Sequence, residues 1–320
     1  TPNVTASSAP YADAGTDQWE ASSEVASKAY PTGFSGVNTQ TYRDAGTIEH
    51  VSSSGSSSSS SGSKWTTITD LTGLLAWHKP ETLASAYSNG DSISTWADSS
   101  GNSRDLTGSS TTRPLALANA VGTYMAADFD GTDDFLVTGS YTLPAGQLTT
   151  TMVVSLDVLK NFNSLLNIDD TAVPSYVASF LHCYVFASGE LRLGFNYNYS
   201  NNMFDTSGGV GGVVATQYHI ISYSNSLDAS YVRIDGNLWY QFGRDQNQPG
   251  GTAYNSLGRS GAGGGALNGK VAEIIVSQPA DSDHSAVIWV EGYLADKYGI
   301  TLADGHLFKN AAPQSSPTTY

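Results

Sequence analysis

Cysteine is almost missing. Cys183 stands alone, so no disulfide within the chain is available and the core must hold the fold. It sits in the apolar run Phe180-Leu181-His182-Cys183-Tyr184-Val185-Phe186, where a free cysteine is a small buried hydrophobe. His182 is no base for it, because neighbours on a strand point to opposite faces. Charge is scarce as well: Asp, Glu, Lys and Arg make up 13% of the 320 residues, against roughly 25% in ordinary soluble proteins. Lys and Arg number 14 beside 29 Asp and Glu, a net charge of −15 with no basic patch. Such a chain repels phosphate backbones and anionic membranes, so nucleic acid is excluded as a partner. No apolar run approaches the ~20 residues that span a bilayer, which excludes membrane insertion by a helix. The opening Thr1-Pro2-Asn3-Val4-Thr5 has neither the basic nor the apolar part of a secretory signal, and none is expected in the chain.

What is abundant is Gly, Ser, Thr, Asn and Tyr, the composition of strands and turns. The sharpest shift is at 52–63, all Ser apart from Gly55 and Gly62, a flexible tether that buries nothing. It separates residues 1–51 from the rest, and a segment that short rarely holds a core alone. Residues 17–30 are compatible with a helix and 33–51 read as extended, but neither has an apolar face. Trp19, Tyr30, Phe34 and Tyr42 are the candidate anchors of a docking arm that orders on a partner. Strand-like runs follow at 74–78, 93–97, 124–129, 149–158, 176–187, 190–197, 218–224, 231–235, 238–242 and 270–277, with turn residues between them. Asp235-Gly236-Asn237 reads as a tight hairpin. Ala286, Trp289, Val290, Tyr293, Leu294 and Lys297 follow helical spacing, with Asp281 or Ser282 as cap and Gly299 as stop. The expected domain map is an arm at 1–51, a linker at 52–63, a sandwich at 64–302 and a polar tail at 303–320.

Three landmarks then point to a known family. Leu74-Leu75-Ala76-Trp77-His78 precedes Trp96-Ala97-Asp98-Ser99-Ser100-Gly101-Asn102; Arg113-Pro114 precedes Phe129-Asp130-Gly131-Thr132-Asp133-Asp134-Phe135-Leu136; and Gly269-Lys270-Val271-Ala272-Glu273-Ile274-Ile275-Val276 leads to Glu291-Gly292-Tyr293-Leu294-Ala295-Asp296-Lys297-Tyr298-Gly299-Ile300. In this order they resemble the laminin G-like branch of the concanavalin A-like lectin/glucanase superfamily, found in phage virion and bacterial surface proteins. The resemblance implies an all-β fold: a two-sheet antiparallel jelly-roll sandwich with one C-terminal amphipathic helix and, here, an extended N-terminal arm.

Motif by motif, the chemistry is thin. A glucanase of the superfamily would show E-x-D-x-x-E on one strand, and no Glu here is followed by Asp two residues on. Asp128, Asp130, Asp133 and Asp134 fall where the resemblance places a structural hairpin, and read as turn stabilisers. The D-x-D-G within them lacks the downstream Glu of an EF-hand. Residues 264–270 fit G-x-x-x-x-G-K, but Val271 replaces the Ser or Thr needed for magnesium. The six His show no metal spacing. No cofactor is expected; the 98–105 turn offers Asp98, Asn102 and Asp105 to calcium, but Asx-rich turns of this kind satisfy themselves. Glycan contacts are placed at Tyr197, Tyr199, Asn201 and Asn202, with Trp239 and Tyr240 on the hairpin strand where alternation turns one of them outward.

The expected function is a non-enzymatic display protein, a virion component of capsid or tail, docked on other assembly proteins through residues 1–51 and presenting a lectin-like domain to glycans. The alternatives are a secreted or cell-surface bacterial adhesin that binds polysaccharide, and, disfavoured, a glycoside hydrolase. Virion surface is the expected location, with the extracellular or bacterial cell surface as alternative. Deleting residues 1–51 is expected to leave a cooperative β-type melt but abolish incorporation into the assembly, with Trp19→Ala weakening it. Normal occupancy of the truncated chain, measured on purified particles, would show that attachment runs through the sandwich.

Overall fold

Two antiparallel sheets face each other across an apolar interior. The computed structural model describes residues 66–170, 179–185, 187–189, 191–195, 203–205, 212–225, 230–242, 250–259, 265–278 and 285–309. All of them lie in one of the two compact units of the chain, His50–Tyr320. The arm anchors Trp19, Tyr30, Phe34 and Tyr42 fall outside the described residues, as does the Ser-rich stretch.

The eight-stranded sheet runs, in space, Asn237–Phe242, Ser230–Ile234, Tyr218–Asn225, Leu148–Leu156, Asn268–Ser277, Tyr124–Asp130 and Leu115–Val121, with Leu74–His78 also paired to Asn268–Ser277. The ten-stranded sheet runs Met203–Asp205, Leu191–Phe195, Ser179–Val185, Leu166–Asp169, Gly251–Leu257, Leu136–Val137, Leu106–Thr107 and Thr95–Trp96; Tyr141–Leu143 joins Gly251–Leu257, and Asn163–Ser164 joins Ser179–Val185. Sequence neighbours are often not spatial neighbours. Leu148–Leu156, for example, lies between Tyr218–Asn225 and Asn268–Ser277, the crossed connectivity of a jelly roll.

Met152, Val154, Ile221, Tyr223, Val271 and Ile274 of the first sheet meet Leu136, Leu166, Ile168, Leu181, Cys183 and Leu257 of the second. Tyr223 ties the layers by donating its phenol to the Leu166 carbonyl at 2.6 Å. The eight-stranded sheet is apolar on its other face too. Val153, Ile220, Ala272 and Ile275 pack there beneath Ala286, Trp289, Val290 and Leu294 of the Ser285–Tyr298 helix. Leu148–Leu156 is therefore buried at every position. It reads as a continuous run instead of an alternation because both its faces are covered.

That helix departs from the amphipathic form expected. Ten of its positions are buried, Glu291 and Gly292 among them, because the residues after it fold back over it. Residues 303–308, expected as tail, are part of the structure: Ala303 N–H donates to Asp235 O, and Phe308 lies against Gly292, where an added Cβ would come within 2.5 Å of its ring. The helix stops at Gly299, with φ +67°; its expected caps lie outside the described residues.

Two buried carboxylates fasten the helix. Glu273, on the sheet, accepts from Trp77 Nε1 at 2.7 Å, Tyr298 Oη at 2.6 Å, Lys297 Nζ at 2.7 Å and Tyr293 Oη at 3.2 Å. Glu291, on the helix, takes both oxygens to Arg233 Nε at 3.0 Å, with His306 Nε2 at 3.1 Å beside it. Burial alone would raise the Glu291 carboxyl, but Arg233 and His306 outweigh it and hold it below the usual range. Arg233 also donates to Gly236 O in the hairpin turn. Both turn residues are left-handed there, Asp235 at φ +50° and Gly236 at φ +76°, as a two-residue type I′ turn requires.

Most predicted strands form within a residue or two of their expected bounds. In the 93–97 run only Thr95–Trp96 pairs: Ile93 N–H goes to Pro114 O, and the Ser94 and Thr95 N–H groups go to the Tyr87 hydroxyl. Several further strands, Leu115–Val121, Leu166–Asp169 and Gly251–Leu257 among them, and the Pro80–Ala86 helix were not foreseen.

Glu291→Ala is expected to destabilise the protein by about 3–5 kcal/mol in chemical denaturation, because it strands the buried Arg233 charge. A second outcome concerns pH. Burial pushes His78 and His182 down to about 4, whereas in the unfolded chain they titrate near 6.5. The unfolded state thus binds more protons between those values, so stability is complete above pH ~6.5 and is lost towards pH ~4. Each histidine contributes roughly 3 kcal/mol to that loss. Melts from pH 7 to 4 check it.

Candidate functional site

The ten-stranded sheet turns one face to the core and one away from it. Leu166, Ile168, Leu181, Cys183, Val185 and Leu257 point inward, so the alternating positions Asn167, Asp169, His182, Tyr184 and Ser256 belong to the opposite face. A face bare to water carries long charged side chains; this one carries amide, carboxylate, imidazole, phenol and hydroxyl, all buried. Asn167 Nδ2 donates to Ser164 Oγ at 2.8 Å and its Oδ1 accepts the Cys183 N–H; Ser256 Oγ donates to Asp169 Oδ2 at 3.0 Å. The His182 ring lies 5.0 Å from that of Tyr184, and the strand register puts Arg192 and Asp205 in line with Tyr184. As expected, His182 and Cys183 part to opposite faces, and burial raises the thiol well above its ordinary value.

Two aromatics meet solvent over this layer. Tyr254, opposite Asp169, is half-buried. Phe162 is 41% exposed, and its ring stands edge-on to Tyr184 at 5.9 Å and 87°. Its backbone has φ +66°, a left-handed conformation that costs a bulky residue of order 1–3 kcal/mol and persists only where the surroundings over-determine it. They do so here. Asn163 Nδ2 donates to the carbonyls of Val158 and Lys160, Asn268 N–H donates to Asn163 Oδ1, and Lys160 Nζ donates to Gly131 O. Gly265 comes so close that a Cβ there would sit 1.9 Å from Phe162 O. The loop thus holds an apolar ring outward at a conformational cost.

The other candidates resolve into structure. Asp130, Asp133 and Asp134 bring carboxylate oxygens within 4.8 Å of one another, but Asp134 accepts the Asp130 N–H and Asp130 accepts the Thr132 N–H, as in a self-bonded turn. Burial, with neighbouring carboxylates, raises the Asp134 carboxyl. In the 98–105 turn, Asp98 spends its oxygens on the N–H groups of Trp77, Ser100 and Arg104 and on the Ser100 hydroxyl. His219 contacts Asp235 at 2.7 Å, yet its Nε2 accepts the Val214 N–H at 3.0 Å, so it holds a loop and offers no base.

Of the sequence-predicted glycan contacts, Tyr197, Tyr199, Asn201 and Asn202 lie outside the described residues. Trp239 and Tyr240 are on Asn237–Phe242, at the rim of the eight-stranded sheet. Tyr240 pairs with Val232 and Leu238 with Arg233, so the register slips at Trp239; the side chains of Trp239 and Tyr240 lie outside what the structure describes. The polar face was missed. Its signal was present in Leu166-Asn167-Ile168-Asp169 and in His182 and Tyr184, polar positions alternating inside runs that read as wholly buried.

By topology the chain is a two-sheet antiparallel sandwich with jelly-roll connectivity. No protein-family model matches the sequence, and no curated protein matches it either. Among solved structures it is similar to domain 4 of AbnA, a GH43 extracellular arabinanase from Geobacillus stearothermophilus, in complex with arabinotriose, at 11% identity over 67% of this chain and 96% of that one, TM-score 0.42. It is similar also to Trypanosoma rangeli sialidase in complex with the inhibitor DANA, at 14% identity over 66% of this chain and 31% of that one, TM-score 0.44. A third is the native heptameric SAP-like pentraxin from Limulus polyphemus, at 20% identity over 49% of this chain and 77% of that one, TM-score 0.37. These structures overturn one expectation, that the chain is not an enzyme: glycoside hydrolases stand among them. The missing E-x-D-x-x-E excludes one arrangement of acid and nucleophile and leaves the others open. Likeness at these scores assigns no reaction to this chain.

Proposed function

We propose that the chain is a saccharide-binding module of the laminin G-like kind, carried on a virion or bacterial surface by residues 1–51, with its contact surface on the outward face of the ten-stranded sheet. The observation that carries this is Phe162. An exposed ring held in a strained backbone above a hydrogen-bonded polar layer suits a ligand that stacks on an apolar face and bonds through hydroxyls. Tyr254 adds a second aromatic, and the buried Asn167, Asp169 and Ser256 beneath keep the platform rigid, which lowers the ordering cost of binding. A chain in which only 13% of the residues are charged favours hydroxyl recognition over ion pairing.

The test is a glycan array probed with the full chain, then titrations of the strongest hit. Phe162→Ala and Tyr254→Ala are each expected to weaken binding about tenfold, the equivalent of ~1.4 kcal/mol, with the melting temperature within about 2 °C of wild type. Undiminished binding by both variants would move the site elsewhere.

A further inference from the structure

In a protein with an excess of acid, a cation close to the interior is expected to find a carboxylate. Arg104 does not: among the described residues it forms no ion pair, and its Nη1 is buried with no hydrogen-bond partner. The adjacent acid, Asp98, is occupied by backbone and Ser100 donors, one of them the N–H of Arg104 itself. Ser103, at φ +55°, helps to turn the chain so that the guanidinium lies over the Tyr141 ring, 3.9 Å from its centroid. Tyr141 stands opposite the core residue Ala253, so the phenol is on the inner side of the ten-stranded sheet and Arg104 caps it.

A second donor on the same phenol is also unmatched. Tyr141 Oη donates to Asn255 Oδ1 at 2.6 Å, and the Asn255 backbone is tied on both sides to Thr138. Asn255 is fully buried, and its Nδ2 has no partner. Buried donors left unmade are costly, and these two share one deficit, an acceptor. A carboxylate supplies two acceptor oxygens and meets the planar fork of arginine in matched geometry.

From this we infer that Arg104 and Asn255, brought together on Tyr141, form a second binding site that takes the carboxylate of an acidic saccharide such as a uronic acid. The body of that ligand rests on the saccharide reading given above; the carboxylate subsite does not, and acetate probes it alone. The net charge of the chain opposes anions, so binding is local, weak for acetate and tighter for glucuronate, whose ring adds contacts.

Sodium glucuronate, acetate and sulfate, and glucose as the neutral control, are titrated at constant ionic strength into the full chain, with melting temperature as readout. Glucuronate and acetate are expected to raise it saturably, and glucose is not. Arg104→Gln should lose the effect, and Arg104→Lys, which keeps the charge without the fork, should weaken glucuronate binding at least about tenfold. An unchanged shift in Arg104→Gln, a response to sulfate without one to carboxylates, or no response to any anion overturns the inference. Should Arg104→Gln not melt cooperatively, the wild-type side-chain NMR signals of Arg104 Nε and Asn255 Nδ2 decide: both should move with glucuronate, and stationary signals refute the site. Loss of glycan binding in Phe162→Ala bears on the other face and leaves this result untouched.

Discussion

Two carboxylates with no access to solvent hold the helix against the sheet, and the rest of the architecture depends on that contact. Glu273 points up from the middle of the eight-stranded sheet and Glu291 points down from the helix. A buried charge is tolerable only when neighbours satisfy it. Glu273 is met by one indole, two phenols and an ammonium; Glu291 by a guanidinium and an imidazole. Glu273 joins Trp77, at the start of the domain, to the closing helix, and Glu291 joins the helix to Arg233 and to His306 beyond it. Tertiary networks of this kind specify a unique packing even where their net contribution to stability is modest.

The two sheets use their second faces differently: the eight-stranded sheet buries an apolar one under the helix, and the ten-stranded sheet buries a polar one. One sheet satisfies its apolar positions twice, against the partner sheet and against the helix. The other sheet spends one face on the core and the other on a connected polar layer, with Phe162 and Tyr254 above it. The loop that presents Phe162 is locked at its base by Asn163, and the Arg104 loop is locked in a comparable way by Asp98. Both display a side chain at a conformational cost, Phe162 in its own backbone and Arg104 through that of Ser103, and both are closed by short polar side chains that bond to the backbone. Rigid presentation from such turns is how a sandwich without long charged residues acquires specific contacts.

Local rules go far in this chain. Alternation, turn residues and helical spacing placed ten of the strands and the closing helix, because each follows from the immediate neighbourhood: β-branched and aromatic runs, Asp235-Gly236 with left-handed φ, Gly299 past the last helical turn. Where they failed, a distant group had taken over a local one. The Ser94 and Thr95 N–H groups go to the Tyr87 hydroxyl, so that of the 93–97 run only Thr95–Trp96 pairs, and Leu115–Val121, unforeseen as a strand, forms one by pairing with Tyr124–Asp130.

The sequence by itself determined the class of fold, the order of most strands, the hairpin turn and the inertness of Cys183, since these depend on periodicity and on chain neighbours. Only the tertiary structure decided which sheet face is polar, that the helix is enclosed, that Glu273 and Glu291 are anchors, and that Arg104 and Asn255 both contact Tyr141. The physical reason is separation along the chain. Trp77 and Glu273 are 196 residues apart, Tyr141 and Asn255 114, and a hydrogen bond over such a distance leaves no trace in the local pattern of either partner.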